Sequence, residues 1–93
     1  MTFPSEARIT CPPEVLSRVL DGEAVLLHLG SGVYFGMNEV ATFAWEKMTK
    51  GTTYGEIRDA VLAEFEVTRD ALEADLEKFV SALVEKKLVQ ISQ

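Results

Sequence analysis

Two apolar segments separated by three small residues constrain the fold of this chain most strongly. Ala24 to Leu29 and Val33 to Met37 are rich in aliphatic, β-branched and aromatic residues, and Gly30-Ser31-Gly32 lies between them. A short glycine-rich loop between two such segments is typical of a β-hairpin. We therefore predict two adjacent antiparallel strands here.

Three helices are predicted after the hairpin, each from a capping residue followed by apolar residues at helical spacing. Asn38 is expected to cap the first helix, and Thr53 with Glu56 forms a capping box for the second. Thr68 is expected to cap the third helix, which is predicted to run to about Lys87.

The remaining segments carry weaker patterns. Residues 1–7 show no periodicity and are expected to be frayed, whereas Ile9 to Cys11 is predicted as a short strand stopped by Pro12-Pro13. Glu14 to Leu20 fits either a short amphipathic helix or an extended segment. Leu88 to Ile91 is expected to add a closing strand.

The order of these elements predicts an α+β fold of winged-helix-like character, in which a small antiparallel three-stranded sheet is followed by three helices. No repeat, low-complexity segment or linker divides the 93 residues. We therefore expect one domain over residues 1–93, with an ordered core from about residue 8 to residue 91.

Composition narrows the function classes. Hydrophobic residues make up 47% of the chain, as in a globular protein, and the formal net charge is −6. That charge opposes binding to nucleic acids and to anionic membranes. The single cysteine, Cys11, excludes an intrachain disulfide, and no signal peptide or membrane span is evident, so a cytoplasmic location is expected.

The residues needed for catalysis or metal binding are scarce. His28 and Cys11 are the only histidine and cysteine, and they belong to no nucleophile or zinc motif. The glycines around the hairpin lack the lysine and the following helix of a phosphate-binding loop. We therefore predict a protein that is not an enzyme and that has no cofactor and no metal.

The second strand of the hairpin is the segment best suited to binding. Sheet edges are usually blunted by lysine, proline or an inward charge, and Val33 to Met37 contains none of these. An open edge of this kind binds extended peptides as an added strand. The alternative is that Tyr34 and Phe35 only fill the core.

The third helix has a broader apolar surface than packing against one core requires. Its apolar and alanine positions cover roughly 220° of the helix, against the ~100° of a core-facing stripe. We expect one part of this arc to face a ligand, with hollows at Ala71 and Ala82 beside Phe79. Asp75 lies on the same flank, where it can pair with a basic ligand residue. Burial of the whole helix is the alternative.

These features resemble a known family, the PqqD-like proteins, whose fold is also called the RiPP recognition element. The resemblance rests on Gly32 to Asn38 leading into a helix with Trp45, on Gly51 to Ile57, and on Leu72 through Val89. It spans about residues 8–91, and it depends on the order and spacing of modest aromatic, glycine and leucine patterns.

The resemblance implies a peptide-binding role. Such domains bind the leader of a ribosomally made precursor peptide as an added strand, between the third strand and the third helix. The implied peptide-binding residues here are Val33, Tyr34, Phe35, Leu72, Asp75, Leu76, Phe79, Val80 and Leu83.

The resemblance also suggests a pathway and partners. A free-standing domain of this length is most similar to small proteins of lasso-peptide biosynthesis, where a cysteine protease removes the leader and an ATP-dependent cyclase closes the ring. A chaperone role in pyrroloquinoline quinone biosynthesis or in another RiPP pathway is the alternative.

Two other classes of function remain open at this stage. A winged-helix DNA-binding protein has a similar helix order, but the third helix carries four basic residues among five acidic ones and offers no basic face. A dimerisation module would use the open strand edge to pair with a second copy.

Overall fold

The computed structural model describes residues 3–92, and within them six strands and three helices form an α+β fold. The elements are, in chain order, β1 (Arg8–Thr10), β2 (Val15–Leu20), β3 (Glu23–His28), β4 (Tyr34–Gly36), α1 (Glu39–Met48), β5 (Thr52–Thr53), α2 (Tyr54–Glu64), α3 (Arg69–Glu85) and β6 (Gln90–Ser92). The predicted fold class and the three helices are confirmed. One small antiparallel three-stranded sheet was predicted, and the strands form two such sheets, ordered β5-β1-β6 and β2-β3-β4.

The segment that fitted either a helix or a strand is strand β2. All six of its residues pair with β3, from Val15 opposite His28 to Leu20 opposite Glu23. Asp21 and Gly22 join the two strands, and both have positive φ, at 53° and 81°. Two successive residues with positive φ form the two-residue turn whose twist best matches that of the flanking strands. The turn therefore favours a β-hairpin over a helix for this segment.

The N-terminal segment is packed rather than frayed from Phe3 onward, which corrects that expectation; residues 1 and 2 lie outside the described residues. The ring centroids of Phe3 and Tyr54 are 5.4 Å apart. The backbone N–H of Gly55 donates to the Ser5 carbonyl at 2.9 Å, and Ala7 has no exposed surface. The segment is therefore fixed against the start of α2.

The hydrophobic core lies between the helices and the inner faces of both sheets. Ala24 and Leu26 of β3 are fully buried toward the helices, and the Ala24 backbone N–H donates to the Thr42 hydroxyl at 2.8 Å, which ties β3 to α1. The core stripe of α3 consists of Leu72, Leu76, Val80 and Leu83. This stripe packs one face of α3 into the core, and the adjoining face of the helix lies at the edge of the core.

The three predicted helix caps are confirmed. Asn38 Oδ1 accepts from the Ala41 N–H at 2.8 Å, and the Thr68 hydroxyl caps α3 in the same way. At α2 the capping box is complete, because Thr53 and Glu56 each bond the other's backbone N–H. Helix α3 ends at Glu85, earlier than predicted. No helix within residues 3–92 has the length and apolar character needed to span a membrane.

The capping box predicts a pH dependence of stability. Hydrogen bonds from the Thr53 backbone N–H and from neighbouring hydroxyls lower the pKa of Glu56 below its ordinary value. A lowered pKa in the folded state means that the ionised group stabilises the fold above the unfolded-state pKa, and that this contribution is lost as the pH falls through the folded-state pKa. In urea denaturation, Glu56→Ala is expected to lower the free energy of unfolding at neutral pH. The difference in this free energy between the variant and the unmodified protein is expected to become smaller as the pH is lowered.

The matched control for this prediction is Glu64→Ala, at the other end of α2. The loss in free energy of unfolding is expected to be small at every pH for this variant, since Glu64 caps no backbone group in the hydrogen bonds described. A Glu56→Ala deficit that stayed constant down to acidic pH would mean that the ionised carboxylate does not contribute through this cap.

Candidate functional site

Strand β4 is one edge of its sheet, and its outer backbone groups are directed away from β3. The Met37 N–H donates to the Ala24 carbonyl at 2.9 Å, and the His28 N–H donates to the Val33 carbonyl at 3.0 Å. Backbone bonds alternate in antiparallel pairs, so the N–H and C=O groups of Tyr34 and Gly36 point to the opposite side. No other strand within residues 3–92 pairs with that side.

The side chains of β4 connect this open edge to helix α3. Tyr34 lies opposite Leu27 on the outer face of the sheet and is 71% exposed. Phe35 lies opposite the buried Leu26, and its ring centroid is 6.1 Å from that of Phe79 in α3. The strand edge and the flank of α3 therefore form two sides of one cleft.

A cavity of about 320 Å³ continues this cleft between α1, α3 and the connection that precedes α3. It is mostly apolar, with small side chains along α1 and at Ala71 of α3 that leave room for a ligand group. Asp75 supplies the carboxylate of the lining and is exposed. The lining residues are Asn38, Val40, Ala41, Ala44, Val61, Val67, Ala71, Leu72, Asp75, Leu76 and Phe79.

The structure brings most of the predicted site residues together and separates two from the cleft. Those at the open edge or in the cavity lining are Tyr34, Phe35, Leu72, Asp75, Leu76 and Phe79. Val33 is half-buried just before β4, where its carbonyl bonds His28. Val80 and Leu83 have no exposed surface and lie in the core, so they have no surface to offer a peptide.

Sequence reasoning missed the contribution of α1 to this site. Val40, Ala41 and Ala44 line the cavity, although their helical spacing only indicated a core-facing stripe. The signal that was available is the position of Asn38, which follows β4 and caps α1. A helix that begins directly after the edge strand must place its first turns beside that edge. The predicted hollow at Ala71 lies in this cavity, whereas Ala82 is not part of its lining.

Cysteine and histidine each occur once in the sequence, as Cys11 and His28, and neither lines the cavity. Burial raises the pKa of the Cys11 thiol to about 11, so the thiol stays protonated near neutral pH. His28 Nδ1 accepts from the Ser31 backbone N–H at 3.2 Å, a local contact in the hairpin loop. Within residues 3–92 no cluster of three or more histidine, cysteine or carboxylate side chains is arranged to hold a metal ion.

Comparison with known proteins gives a family match and two similar solved structures. The protein-family profile described as coenzyme PQQ synthesis protein D (PqqD) matches residues 23–89. A structure described as TbiB1 in complex with the TbiA(beta) leader peptide is 40% identical, with a TM-score of 0.80 over 87% of this chain and 94% of that chain. A second, described as lasso peptide synthetase B1 complexed with the leader peptide, is 26% identical, with a TM-score of 0.75 over 88% of this chain and 96% of that chain. No curated protein matches this chain.

Proposed function

Because this chain belongs to the PqqD family, as its sequence predicted, we propose that it binds the leader of a precursor peptide as an added strand along β4. One observation carries the proposal: the open backbone edge at Tyr34 and Gly36 lies beside an apolar cavity in the same cleft. The two similar structures support it, since each is described as a complex with a leader peptide.

The arrangement explains how such a peptide is held. A strand beside β4 extends the β2-β3-β4 sheet, and its backbone bonds Tyr34 and Gly36 regardless of sequence. Its side chains alternate between faces, so every second one lies on the side of Phe35 and points toward α3. The cavity there falls within the about 300–1,000 Å³ range of ligand pockets, and it accepts apolar side chains.

Asp75 gives this cleft a preference in charge. Its carboxylate is exposed in a lining that is otherwise uncharged, and the whole chain carries a net charge of −6. A basic leader residue beside the apolar anchors is therefore favoured over an acidic one. This is the basis on which the site distinguishes one extended peptide from another.

We place this role in lasso-peptide biosynthesis, with a leader peptidase and an ATP-dependent cyclase as the enzymes that receive the bound precursor. The protein itself acts by tethering. The leader is disordered when free and becomes ordered on the strand edge. Holding it beside the peptidase raises the effective concentration of the cleavage site. The family match alone does not separate this pathway from pyrroloquinoline quinone biosynthesis, and the likeness to the structure described as lasso peptide synthetase B1 supports the lasso assignment.

Isothermal titration with a synthetic leader peptide tests the proposal. The peptide is a candidate leader chosen from the reading frames that neighbour the gene for this protein, and a scrambled peptide of the same composition is the control. We expect saturable one-to-one binding of the leader and none of the scrambled peptide. Equal heats for the two peptides, or no binding of either, would contradict leader recognition at this site.

A further inference from the structure

The β2-β3-β4 sheet has a second open edge, at β2, that leader binding does not use. The Leu29 N–H donates to the Glu14 carbonyl at 2.9 Å, which fixes the alternation of the ladder between β2 and β3. Leu16, Arg18 and Leu20 bond toward β3, and the backbone groups of Ser17 and Val19 point away from it. Within residues 3–92 no strand pairs with this side.

This edge is long and has little of the usual protection against pairing. Strand β2 has six residues, twice the length of β4, no lysine or proline interrupts it, and Arg18 is the one charged residue within it. Leu16, Val19 and Leu20 are 53%, 52% and 59% exposed, so apolar surface is open on both faces of the strand. Native proteins usually cover such an edge with another strand, a helix or a loop.

We propose that β2 pairs with β2 of a second copy of this chain, antiparallel across a two-fold axis. Since the Ser17 backbone points outward, the axis passes between Ser17 and Ser17 of the second copy, which exchange two hydrogen bonds. Val15 then lies opposite Val19 of the second copy on the inner face. Leu16 lies opposite Arg18 of the second copy on the outer face and packs on its aliphatic stem.

Registers centred on Ser17 or on Arg18 pair the largest part of β2, and charge distinguishes between these two. A register centred on Arg18 would place that residue directly opposite Arg18 of the second copy, a destabilising pair of like charges. The register centred on Ser17 instead places Arg18 diagonally across from Glu14 of the second copy, on the same face. The two-fold axis generates this pair of opposite charges twice, and the exposed apolar residues are covered at the same time.

The dimer goes beyond leader binding and is compatible with it. Pairing at β2 produces a continuous six-stranded sheet in which the two β4 strands form the outer edges. Each edge remains open to one leader, so the assembly binds two. A single strand pair buries less surface than a standard protein interface, and we therefore expect a dimer that exchanges with monomer on dilution.

Sedimentation velocity from micromolar to millimolar concentration tests this dimer. The average mass of the unmodified chain is expected to rise toward twice the monomer mass. Ser17→Pro removes the outward N–H without touching the ladder to β3, and it is expected to stay monomeric with an unchanged circular dichroism spectrum. Val19→Lys, which adds a charge to the edge, is a second variant with the same expected result.

A charge swap checks the register. Arg18→Glu is expected to weaken the dimer by roughly three- to ten-fold, and adding Glu14→Lys to it is expected to restore the original dissociation constant. A dimer that responds to neither change would overturn the proposed register.

Several results would overturn the dimer itself. The first is a chain that stays monomeric at every concentration. The second is a dimer that dissociates when leader is added, because that result would place the contact at β4. A monomeric chain that loses binding to the peptidase on Ser17→Pro would assign the β2 edge to that enzyme instead. Leader titration of Ser17→Pro separates the two proposals, because this variant is expected to bind leader normally.

Discussion

Tyr34→Pro is expected to weaken leader binding about ten-fold or more, because the loss of one interfacial backbone hydrogen bond costs about 1–3 kcal/mol. The Tyr34 N–H points to the open edge, so proline removes a donor to the leader and none to β3. The proline ring also occupies the position that the incoming strand approaches. The fold is expected to remain intact, and isothermal titration measures the change.

Two variants separate the backbone effect from other causes. Tyr34→Ala keeps the N–H and removes only an exposed side chain, so its effect is expected to be much smaller than that of proline. Ser17→Pro places the same ring at the opposite edge of the same sheet and is expected to leave the affinity unchanged. Equal losses for Tyr34→Pro and Ser17→Pro would point to general disruption of the sheet and against an added strand at β4.

Ala71→Trp is expected to abolish leader binding by filling the cavity. Ala71 lies in the first turns of α3, is exposed, and lines the cavity of about 320 Å³. An indole at this position occupies the space that a leader side chain would enter. Because the site is exposed, the cost to folding is limited mainly to the helix propensity difference, about 0.7 kcal/mol or less. The expected loss in affinity is at least about ten-fold, read by titration.

Ala74→Trp is the matched control for this prediction. Ala74 is an exposed alanine on the same helix, outside the lining of the cavity, so the same bulk there is expected to leave the affinity close to that of the parent. Thermal unfolding of both variants confirms that they are folded. If Ala71→Trp bound leader as tightly as Ala74→Trp, the cavity would not take part in recognition.

The elements that were predicted correctly are those specified by local chemistry. A capping side chain bonds a backbone group three residues away, so Asn38, Thr53 and Thr68 indicate helix starts without reference to the rest of the chain. The hairpin between β3 and β4 is likewise encoded by adjacent segments and a short loop. Contacts of this kind can be predicted from a single sequence.

The features that were missed or left open are pairings between distant residues. Ile9 pairs with Thr52 and with Ile91, and this arrangement creates the second sheet. Nothing near Ile9 in the sequence identifies either partner. The leucine and valine pattern of β2 fits a helix or a strand, and only its pairing with β3 decides between them.

The candidate site could be predicted in outline but not in its boundary. The broad apolar arc of α3 predicted a second role for the helix, yet periodicity alone does not show where the core-facing part ends. The structure sets that boundary between Phe79, which lines the cavity, and the neighbouring Val80, which is fully buried. The part of the lining that comes from α1 depends on how two helices pack, and no local sequence pattern records this.

The contact between Phe35 and Phe79 has a thermodynamic consequence for recognition. The two rings are already in contact in the free protein, so these two sides of the cleft are preformed before a ligand binds. The protein therefore loses little conformational entropy on binding, and almost all of the entropy cost of ordering comes from the bound peptide. Stiffening that chain into an extended form, for example by cyclisation, is therefore the most direct route to a tighter ligand.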